Sequence, residues 1–412
     1  MQTKNMDEKI NRYFCVQPFV NTTTRIQGQN NVCCNMIKED SNISHETPVD
    51  FFNSASVKKM RENLLAGIKL EECQLCYYQE KTLKNSHRIE YNKYYNIKNN
   101  ETNEYYDKIV QKLRFANLKN PLYAELHISN LCNLKCLSCH ERDSSKFHSE
   151  NKKLGVSHDL ETNYSKIDYT KYNALDSVIK KGLLFLDVRG GETLMVPEVK
   201  KILYEIDSET AKSITLKIQT NGTIVPDHAW IGIMKKFKRT KLNVSVDAFD
   251  SDNHYVRFPA NWQKIIETLN CLKENNIKFI INTVVSNLNI MVLDKLFNWI
   301  QENGYLNYFY ILETPKHYQP TNLPQSLLDI AGKRLQNVKR EFANGDCNQK
   351  LEDLIEMCKT SDQTYWQSFC KEITMRDNFR KNRITDVIPE IKQYLESSKI
   401  SLNKRKENYA KI

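Results

Sequence analysis

Short apolar runs alternate with amphipathic segments along the middle of the chain, from Pro121 to about Pro320. The apolar runs have the length of buried strands, and the segments between them carry apolar residues at helical spacing. The six predicted strands are LYAELHI, LLFLDV, ITLKIQT, LNVSVDA, KFIINTVV and YFYIL. The five predicted helices between them are YTKYNALDSVIKK, VPEVKKILYEI, HAWIGIMKKFK, NWQKIIETLNCLKEN and IMVLDKLFNWIQENG. This alternation predicts an α/β fold with a parallel sheet, which right-handed crossovers curl into a barrel or an open sheet.

Polar segments follow the predicted strands, as they do where a βα barrel carries its chemistry at the carboxyl ends of the strands. LYAELHI leads into a loop with three cysteines, and the next four strands lead into RGGET, NGT, FDSDN and SNLN. One long polar insert, from Glu141 to about Lys166, breaks the pattern. Its lack of periodicity predicts a loop or a lid over the barrel mouth.

The pattern divides the chain into four parts. Residues 1–95 are predicted to form a small cysteine-bearing unit, with a hairpin of NTTTRIQ and NNVCCNM around Gly28. Residues 96–120 form a charged linker, and residues 121–322 form a partial (β/α)6 core. Residues 323–412 form a helical extension, from patterns such as LPQSLLDIAGKRLQNVKREF and ITDVIPEIKQYLESS.

Composition and charge narrow the protein class. The chain of 412 residues is 40% hydrophobic and 27% charged, which is typical of a globular protein. The start, MQTKNMDEKINRYF, has no apolar segment of a secretory signal, and no apolar run is long enough for a membrane span. We therefore expect a cytoplasmic protein with reduced cysteines and no membrane partner. The net charge of +10 permits an anionic partner such as nucleic acid but does not require one.

Three of the twelve cysteines lie within ten residues, in LCNLKCLSCH at Leu131 to His140. A closed structural zinc site takes four ligands, and the spacing of Cys132, Cys136 and Cys139 supplies three. A [4Fe–4S] cluster is also held by thiolates, and with only three of them one iron stays open to a small molecule. The isolated cysteines are read as structural residues: Cys271, Cys347, Cys358 and Cys370.

The CxxxCxxC loop after the first barrel strand resembles the radical S-adenosylmethionine (SAM) superfamily. Gly190-Gly191-Glu192 resembles the GGE motif of the family, Val244 to Asp247 its ribose-contacting strand, and Arg257 its basic partner for the SAM carboxylate. Ser138 stands before the third cysteine, where the family usually has an aromatic or large apolar residue against the adenine.

The resemblance implies a chemistry and a set of site residues. Cys132, Cys136 and Cys139 would hold a catalytic [4Fe–4S] cluster whose open iron chelates SAM, and reductive cleavage would give a 5′-deoxyadenosyl radical that abstracts hydrogen from a substrate. The implied SAM contacts are Gly190, Gly191, Glu192, Ser245, Asp247 and Arg257. Three of them also have plain structural readings: an N-terminal helix acid for Glu192, a surface ion pair for Arg257, and a turn for Asp247.

The amino-terminal unit carries five further candidate metal ligands. They are Cys15, Cys33, Cys34, Cys73 and Cys76. Such spacing is compatible with a zinc ribbon. It also resembles the SPASM and twitch domains of radical SAM proteins, which carry an auxiliary [4Fe–4S] cluster, here placed before the barrel. Spacing leaves the choice between Cys33 and Cys34 open, and the Gly-x4-Cys match favours Cys33.

Two functions remain open from the sequence. The first is a radical SAM enzyme with an auxiliary cluster, served by a reductant such as flavodoxin or ferredoxin, that modifies a peptide, a small metabolite or a nucleotide. The second is a non-catalytic zinc-binding or nucleic-acid-binding protein on a degenerate barrel. The intact CxxxCxxC and GGE motifs argue for the enzyme.

Overall fold

The structure is a computed structural model of the chain, which describes residues 12–26, 30–36, 47–83, 86–94, 118–157, 178–179, 182–343 and 345–397. Several predicted features lie outside these residues: Gly28, the insert beyond residue 157, nearly all of the first predicted barrel helix, the linker up to residue 117, and the basic carboxyl terminus. No helix within the described ranges is long and apolar enough to cross a membrane.

Six parallel strands form the centre of the fold, and they confirm the six predicted from the sequence. They are β3 (Tyr123–His127), β4 (Phe185–Arg189), β5 (Thr215–Thr220), β6 (Arg239–Ser245), β7 (Lys278–Val285) and β8 (Asn307–Ile311). Each strand pairs in parallel with the next along the chain. The sheet is open, with β8 at one edge, so it is a partial barrel.

Two amino-terminal strands extend this sheet at the other edge. The predicted hairpin is present as β1 (Asn21–Thr24) and β2 (Asn30–Asn31), paired antiparallel. β1 also pairs in parallel with β3, from Asn21 beside Tyr123 to Thr24 beside Leu126. The sheet thus runs across the boundary predicted at residue 95, and the four-part division itself stays a prediction.

Helices cover one face of the sheet and surround its edges. The amino-terminal helices are α1 (Gln17–Val20), α2 (Pro48–Phe52), α3 (Ala55–Leu65), α4 (Gln74–Leu83) and α5 (His87–Tyr94). The helices along the barrel are α6 (Ser145–Leu154), α7 (Pro197–Glu205), α8 (Ser208–Ala211), α9 (His228–Lys236), α10 (Ser251–Val256), α11 (Trp262–Glu274) and α12 (Leu293–Glu302). The carboxyl-terminal helices are α13 (Gln325–Gln336), α14 (Asp346–Met357), α15 (Trp366–Arg380), α16 (Ile384–Val387) and α17 (Pro389–Ser397).

The two faces of the sheet differ in burial. On β5 the buried positions are Leu216, Ile218 and Thr220, and they alternate with half-buried Lys217 and Gln219. β6 repeats this alternation. The apolar face joins the helices in one large core, while the inner face carries polar side chains. Because a fully packed parallel sheet is apolar on both faces, the inner face is available for a site.

The polar insert after the cysteine loop is partly helical, so its prediction as a loop is wrong for residues 145–154. Ser144 caps α6 through a hydrogen bond from the Phe147 amide, and Gly155 ends it with a φ of 69°. Phe147 is buried. Both end signals are visible in the sequence, but a single buried aromatic residue makes too weak an apolar face for detection by periodicity.

Candidate active site

The three-cysteine loop follows β3 at the carboxyl edge of the sheet. Cys132, Cys136 and Cys139 lie in one contact group with Leu134 and Ala260. The Cys139 amide donates to the Cys136 carbonyl at 3.2 Å, and the Leu134 amide donates to the Cys132 Sγ at 3.4 Å. The structure therefore brings the three predicted cluster ligands together.

Two backbone hydrogen bonds hold this loop against the segment that follows α10. The Lys135 amide donates to the Phe258 carbonyl at 2.6 Å, and the Leu137 amide donates to the Val256 carbonyl at 3.3 Å. The two acceptors flank Arg257 in the sequence. The bonds thus place the Arg257 charge beside the thiols.

Cys132 and Cys136 are buried, and Cys139 is half-buried. Burial raises the pKa of Cys136 to about 11, and the Arg257 guanidinium opposes this rise. Burial likewise raises the pKa of Cys132 and Cys139. In the described parts of the chain, no group of three or more His, Cys, Asp or Glu side chains is arranged to hold a metal ion as it stands. Thiols bind metal with loss of their protons, and Arg257 would offset the negative charge, so the donor set fits a [4Fe–4S] cluster.

The backbone of the GGE segment packs closely against the start of the cysteine loop, and this packing requires its two glycines. Gly190 and Gly191 have φ values of 103° and 52°. A side chain on Gly190 would meet the Ser129 carbonyl oxygen at 2.5 Å, and one on Gly191 would meet the Leu131 carbonyl oxygen at 2.1 Å. Only glycine lets the backbone approach the cysteine loop so closely. The predicted approach of these residues to the SAM ammonium stays a prediction.

Glu192 is fully buried and joins the end of β4 to the end of β5. The Thr220 hydroxyl donates to Oε1 at 2.7 Å, and the Asn221 amide donates to Oε2 at 2.6 Å. The Leu194 amide also donates to Oε1, at 3.1 Å. Burial raises the pKa of Glu192, and these hydrogen bonds oppose the rise. In this conformation the carboxylate supports the strand ends, and its binding of the SAM ammonium stays a prediction.

Glu192→Ala is expected to lower the free energy of unfolding by about 2–5 kcal/mol, because it leaves buried donors without their acceptor. Chemical denaturation measures this loss, and Glu205→Ala, at an exposed helix position, is the control with little expected change. Glu192→Gln keeps the shape of the side chain. If the carboxylate also binds the SAM ammonium, this variant should weaken SAM binding about ten- to a hundredfold. Unchanged SAM affinity in a folded Gln variant would leave Glu192 with a structural role alone.

Asp247 and Arg257 form an ion pair at the end of β6. The Arg257 Nη1 donates to Asp247 Oδ2 at 2.8 Å, and the Val284 amide donates to Oδ1 at 2.8 Å. The buried Nε of Arg257 has no hydrogen-bond partner among the described residues. A buried donor without an acceptor is costly, which suits a ligand carboxylate at this point. The Ser245 hydroxyl, on the same strand, accepts from Gln219 Nε2 at 2.7 Å.

The five amino-terminal cysteines line one cavity. They are Cys15, Cys33, Cys34, Cys73 and Cys76, and His87, Arg88 and Tyr91 share the lining. The structure thus brings together cysteines from Cys15 to Cys76, which are up to 61 positions apart in the sequence. Burial raises the pKa of Cys73 to about 11 and that of Cys34 to about 12. The donor set fits a second [4Fe–4S] cluster and also fits zinc.

The two cysteines of the doublet have different neighbours. Cys33 lies near both Cys15 and Cys76, whereas of these two residues only Cys76 lies near Cys34. Cys34 has its Sγ 3.9 Å from His87 Nδ1, and it lies near the charged side chains of β3 and β4. This arrangement supports Cys33 as the ligand, in line with the Gly-x4-Cys spacing. The choice stays a prediction.

Residues 126–300, which contain the cysteine loop, the GGE segment and the Asp247–Arg257 pair, match the Radical SAM superfamily. These residues form a radical SAM domain. The resemblance inferred from the motifs is thereby confirmed for the barrel. The placement of a twitch or SPASM-like domain before it stays a prediction.

Curated relatives match the radical SAM domain over part of their length. The chain is 28% identical over 171 residues to the GTP 3′,8-cyclase of Clostridium acetobutylicum, covering 40% of this chain and 48% of the relative. It is 26% identical over 191 residues to the AdoMet-dependent heme synthase of Methanosarcina barkeri, covering 44% and 48%. The chain therefore spans about half the length of these relatives.

Solved structures are also similar to the chain, at low sequence identity. Streptococcus suis SuiB bound to S-adenosylmethionine has a TM-score of 0.39 and 18% identity, with 67% of this chain and 61% of SuiB covered. The structure of anSMEcpe with bound AdoMet has a TM-score of 0.38 and 21% identity, with 51% and 57% covered. The family assignment rests on the sequence match and the motifs.

A buried cluster of charged side chains, here called the clamp, holds the cysteine loop of the radical SAM domain in place. Glu150 of α6 is 2% exposed. Its carboxylate lies 2.8 Å from Arg376 Nη1, 2.7 Å from Arg380 Nη2 and 3.1 Å from Lys135 Nζ. Arg380 Nη2 also donates to the Lys135 carbonyl at 2.7 Å, within the loop. Sequence reasoning missed this cluster, because Arg376 and Arg380 lie more than 200 positions from Glu150 and no local pattern joins them.

Glu150→Ala is expected to lower the free energy of unfolding by about 3–5 kcal/mol, since it leaves two buried arginines without their counter-charge. Thermal and chemical unfolding of the reconstituted protein measure the loss. Glu352→Ala removes an acid whose side chain is 53% exposed and pairs with Arg340, so its expected effect is at most about 1 kcal/mol. Equal effects of the two substitutions would contradict the clamp.

Proposed function

We propose that the chain is a radical SAM enzyme with a second, auxiliary iron–sulfur cluster. The observation that carries the proposal is the three-cysteine contact group at the carboxyl edge of the sheet, beside Arg257, within residues that match the family. When bound, the catalytic cluster and SAM supply a 5′-deoxyadenosyl radical that abstracts hydrogen from a substrate.

The residues of the barrel have distinct parts in this proposal. Cys132, Cys136 and Cys139 hold the cluster through their thiolates. Arg257, fixed by Asp247, would direct its Nε, which has no partner among the described residues, to the carboxylate of SAM. A guanidinium held by a buried acid is oriented before the ligand arrives, so little conformational entropy is lost on binding.

The auxiliary cluster is proposed for the amino-terminal cavity, with Cys15, Cys33, Cys73 and Cys76 as ligands and Cys34 as the alternative to Cys33. The support is that five cysteines with suitable spacing line one cavity next to the barrel. β1, which follows the first of these cysteines, belongs to the barrel sheet. The cavity is therefore fixed relative to the inner face, where a substrate would lie.

The substrate class remains broad, and a peptide, a small metabolite or a nucleotide is proposed. The matched relatives are named for small molecules, GTP and heme.

A small electron carrier such as flavodoxin or ferredoxin is proposed as the reductant, because the catalytic cluster must be reduced before it cleaves SAM.

Anaerobic purification and reconstitution test the proposal directly. Two cubane clusters predict about eight irons and about eight sulfides per chain. With dithionite and SAM, the protein should form 5′-deoxyadenosine, measured by chromatography. Zinc in place of iron throughout, with no SAM cleavage, would instead favour a non-catalytic zinc protein.

A further inference from the structure

The inner face of the barrel carries a row of charged side chains that the site residues above do not include. The strand register places Glu125, Asp187 and Lys217 next to one another on β3, β4 and β5. Lys241 continues the row on β6. Charged residues are rare inside parallel sheets unless they are paired or functional. The row thus contains two acids and two lysines, and Arg189 lies at the end of β4 beside it.

Arg189 is held in place by the two acids. Its Nε and Nη2 donate to the two carboxylate oxygens of Asp187 at 3.1 and 2.9 Å, and Nη2 lies 3.7 Å from Glu125 Oε2. Asp187 also accepts from the Tyr123 hydroxyl at 2.6 Å, and Glu125 lies 2.7 Å from His127 Nε2. The two acids therefore have their oxygens occupied by neighbours.

The Arg189 side chain is accessible to solvent, whereas its two acidic partners are not. Glu125 and Asp187 are each 1% exposed, whereas the Arg189 side chain is 26% exposed. The Arg189 Nη1 makes no hydrogen bond to any residue that the structure describes. A ligand entering here would meet the guanidinium edge and not the carboxylates.

Residues of both cysteine sites lie near Arg189 or Tyr310. Tyr310 of β8 is 45% exposed, yet its hydroxyl lies among the charges of Asp247, Arg189 and Arg257 and near Cys34. From the amino-terminal side, His87 of α5 also lies near Arg189.

We propose that Arg189 binds an anionic group of the substrate, a carboxylate or a phosphate, at the inner face of the barrel. A guanidinium edge matches both groups in geometry, and its fixed orientation lowers the entropic cost of binding. Together with Lys217 and Lys241 of the neighbouring strands, Arg189 gives three positive charges against the two carboxylates of Glu125 and Asp187. The inference rests on the proposed function, in that the bound anion is taken to belong to the substrate of the radical reaction.

Small anions test the site with the reconstituted full chain. The probes are sodium acetate and sodium phosphate, each exchanged for sodium chloride at constant ionic strength, with acetamide as the neutral match for acetate. SAM is present at saturation, without reductant, so that the Arg257 site is occupied. At about ten times its dissociation constant, a bound anion should raise the unfolding midpoint of the wild type by about 2 °C. Acetamide should cause no rise, and the better of the two anions identifies the substrate group.

Matched variants assign the effect to one arginine. Arg189→Gln should abolish the rise, and Arg239→Gln, at an exposed position on β6, should keep it. Arg189→Lys preserves a cation for the buried acids and should reduce the rise by at least half, which decides the matter if the Gln variant does not fold. An equal rise in Arg189→Gln or Arg189→Lys, or no rise in the wild type, would overturn the proposal. Failure of the radical chemistry would appear separately, in the iron content and in 5′-deoxyadenosine formation.

Discussion

Replacement of Cys132, Cys136 or Cys139 by alanine is expected to reduce 5′-deoxyadenosine formation to the level of a protein-free control. Each of the three thiolates would hold one iron of the cluster, and the loop offers no fourth cysteine that could replace a missing ligand. The measurement is chromatographic detection of 5′-deoxyadenosine after incubation of anaerobically reconstituted protein with SAM and dithionite.

Cys271→Ala is the matched control for the loop variants. Cys271 lies on α11, where its Sγ contacts the Pro226 carbonyl at 3.7 Å, far in sequence from either cysteine group. This variant should form 5′-deoxyadenosine at the wild-type rate. Wild-type product from any one of the three loop variants would show that the catalytic cluster is assigned to the wrong residues.

Removal of Cys73 and Cys76 together is expected to lower the iron content by about half, since two cubane clusters contain equal iron. Cleavage of SAM should continue, because the three catalytic ligands lie on a separate loop after β3. Formation of product from substrate should fall, because Cys34 and His87 of the amino-terminal cavity lie near Arg189, where the substrate is proposed to bind. Iron analysis and 5′-deoxyadenosine assays measure the first two effects without a known substrate.

The double variant Cys358→Ala with Cys370→Ala controls for the loss of two thiols. Both residues lie in or beside the carboxyl-terminal helices, away from either cysteine group. Their removal should leave the iron content unchanged. Zinc in the amino-terminal cavity of the wild type would contradict the auxiliary cluster. Complete loss of SAM cleavage in a folded Cys73 and Cys76 double variant would mean that the two cysteine groups serve one site.

The central sheet could be predicted from the sequence because its signals are local. Each of the six strands is a short apolar run with a polar segment after it, and all six are present. The pairing of β1 with β3 could not be predicted, because the partner of NTTT lies about 100 positions away and the strand itself is polar. Contacts of this kind depend on the whole fold and leave no pattern in either segment.

The candidate site was predictable to a similar extent. Motif spacing located the cysteine loop, the GGE segment and the Asp247–Arg257 strand end, and the structure brings them together. The hydrogen bonds of Glu192 to the end of β5 were not predictable, since they depend on how two strand ends meet. The acids around Arg189 did leave a signal. Glu125 and Asp187 interrupt otherwise apolar strands, and a charge at such a position indicates a special role.

The clamp on Glu150 bears on how this protein can be divided into working fragments. A fragment that stops at residue 322 would keep every candidate cluster ligand and every motif of the family, yet it would lose Arg376 and Arg380. Glu150 would then keep only Lys135 as a counter-charge, and the cysteine loop would lose the contact at the Lys135 carbonyl. We therefore expect that the smallest stable fragment with an intact cysteine loop extends through α15, and that a boundary drawn at the last motif would come too early.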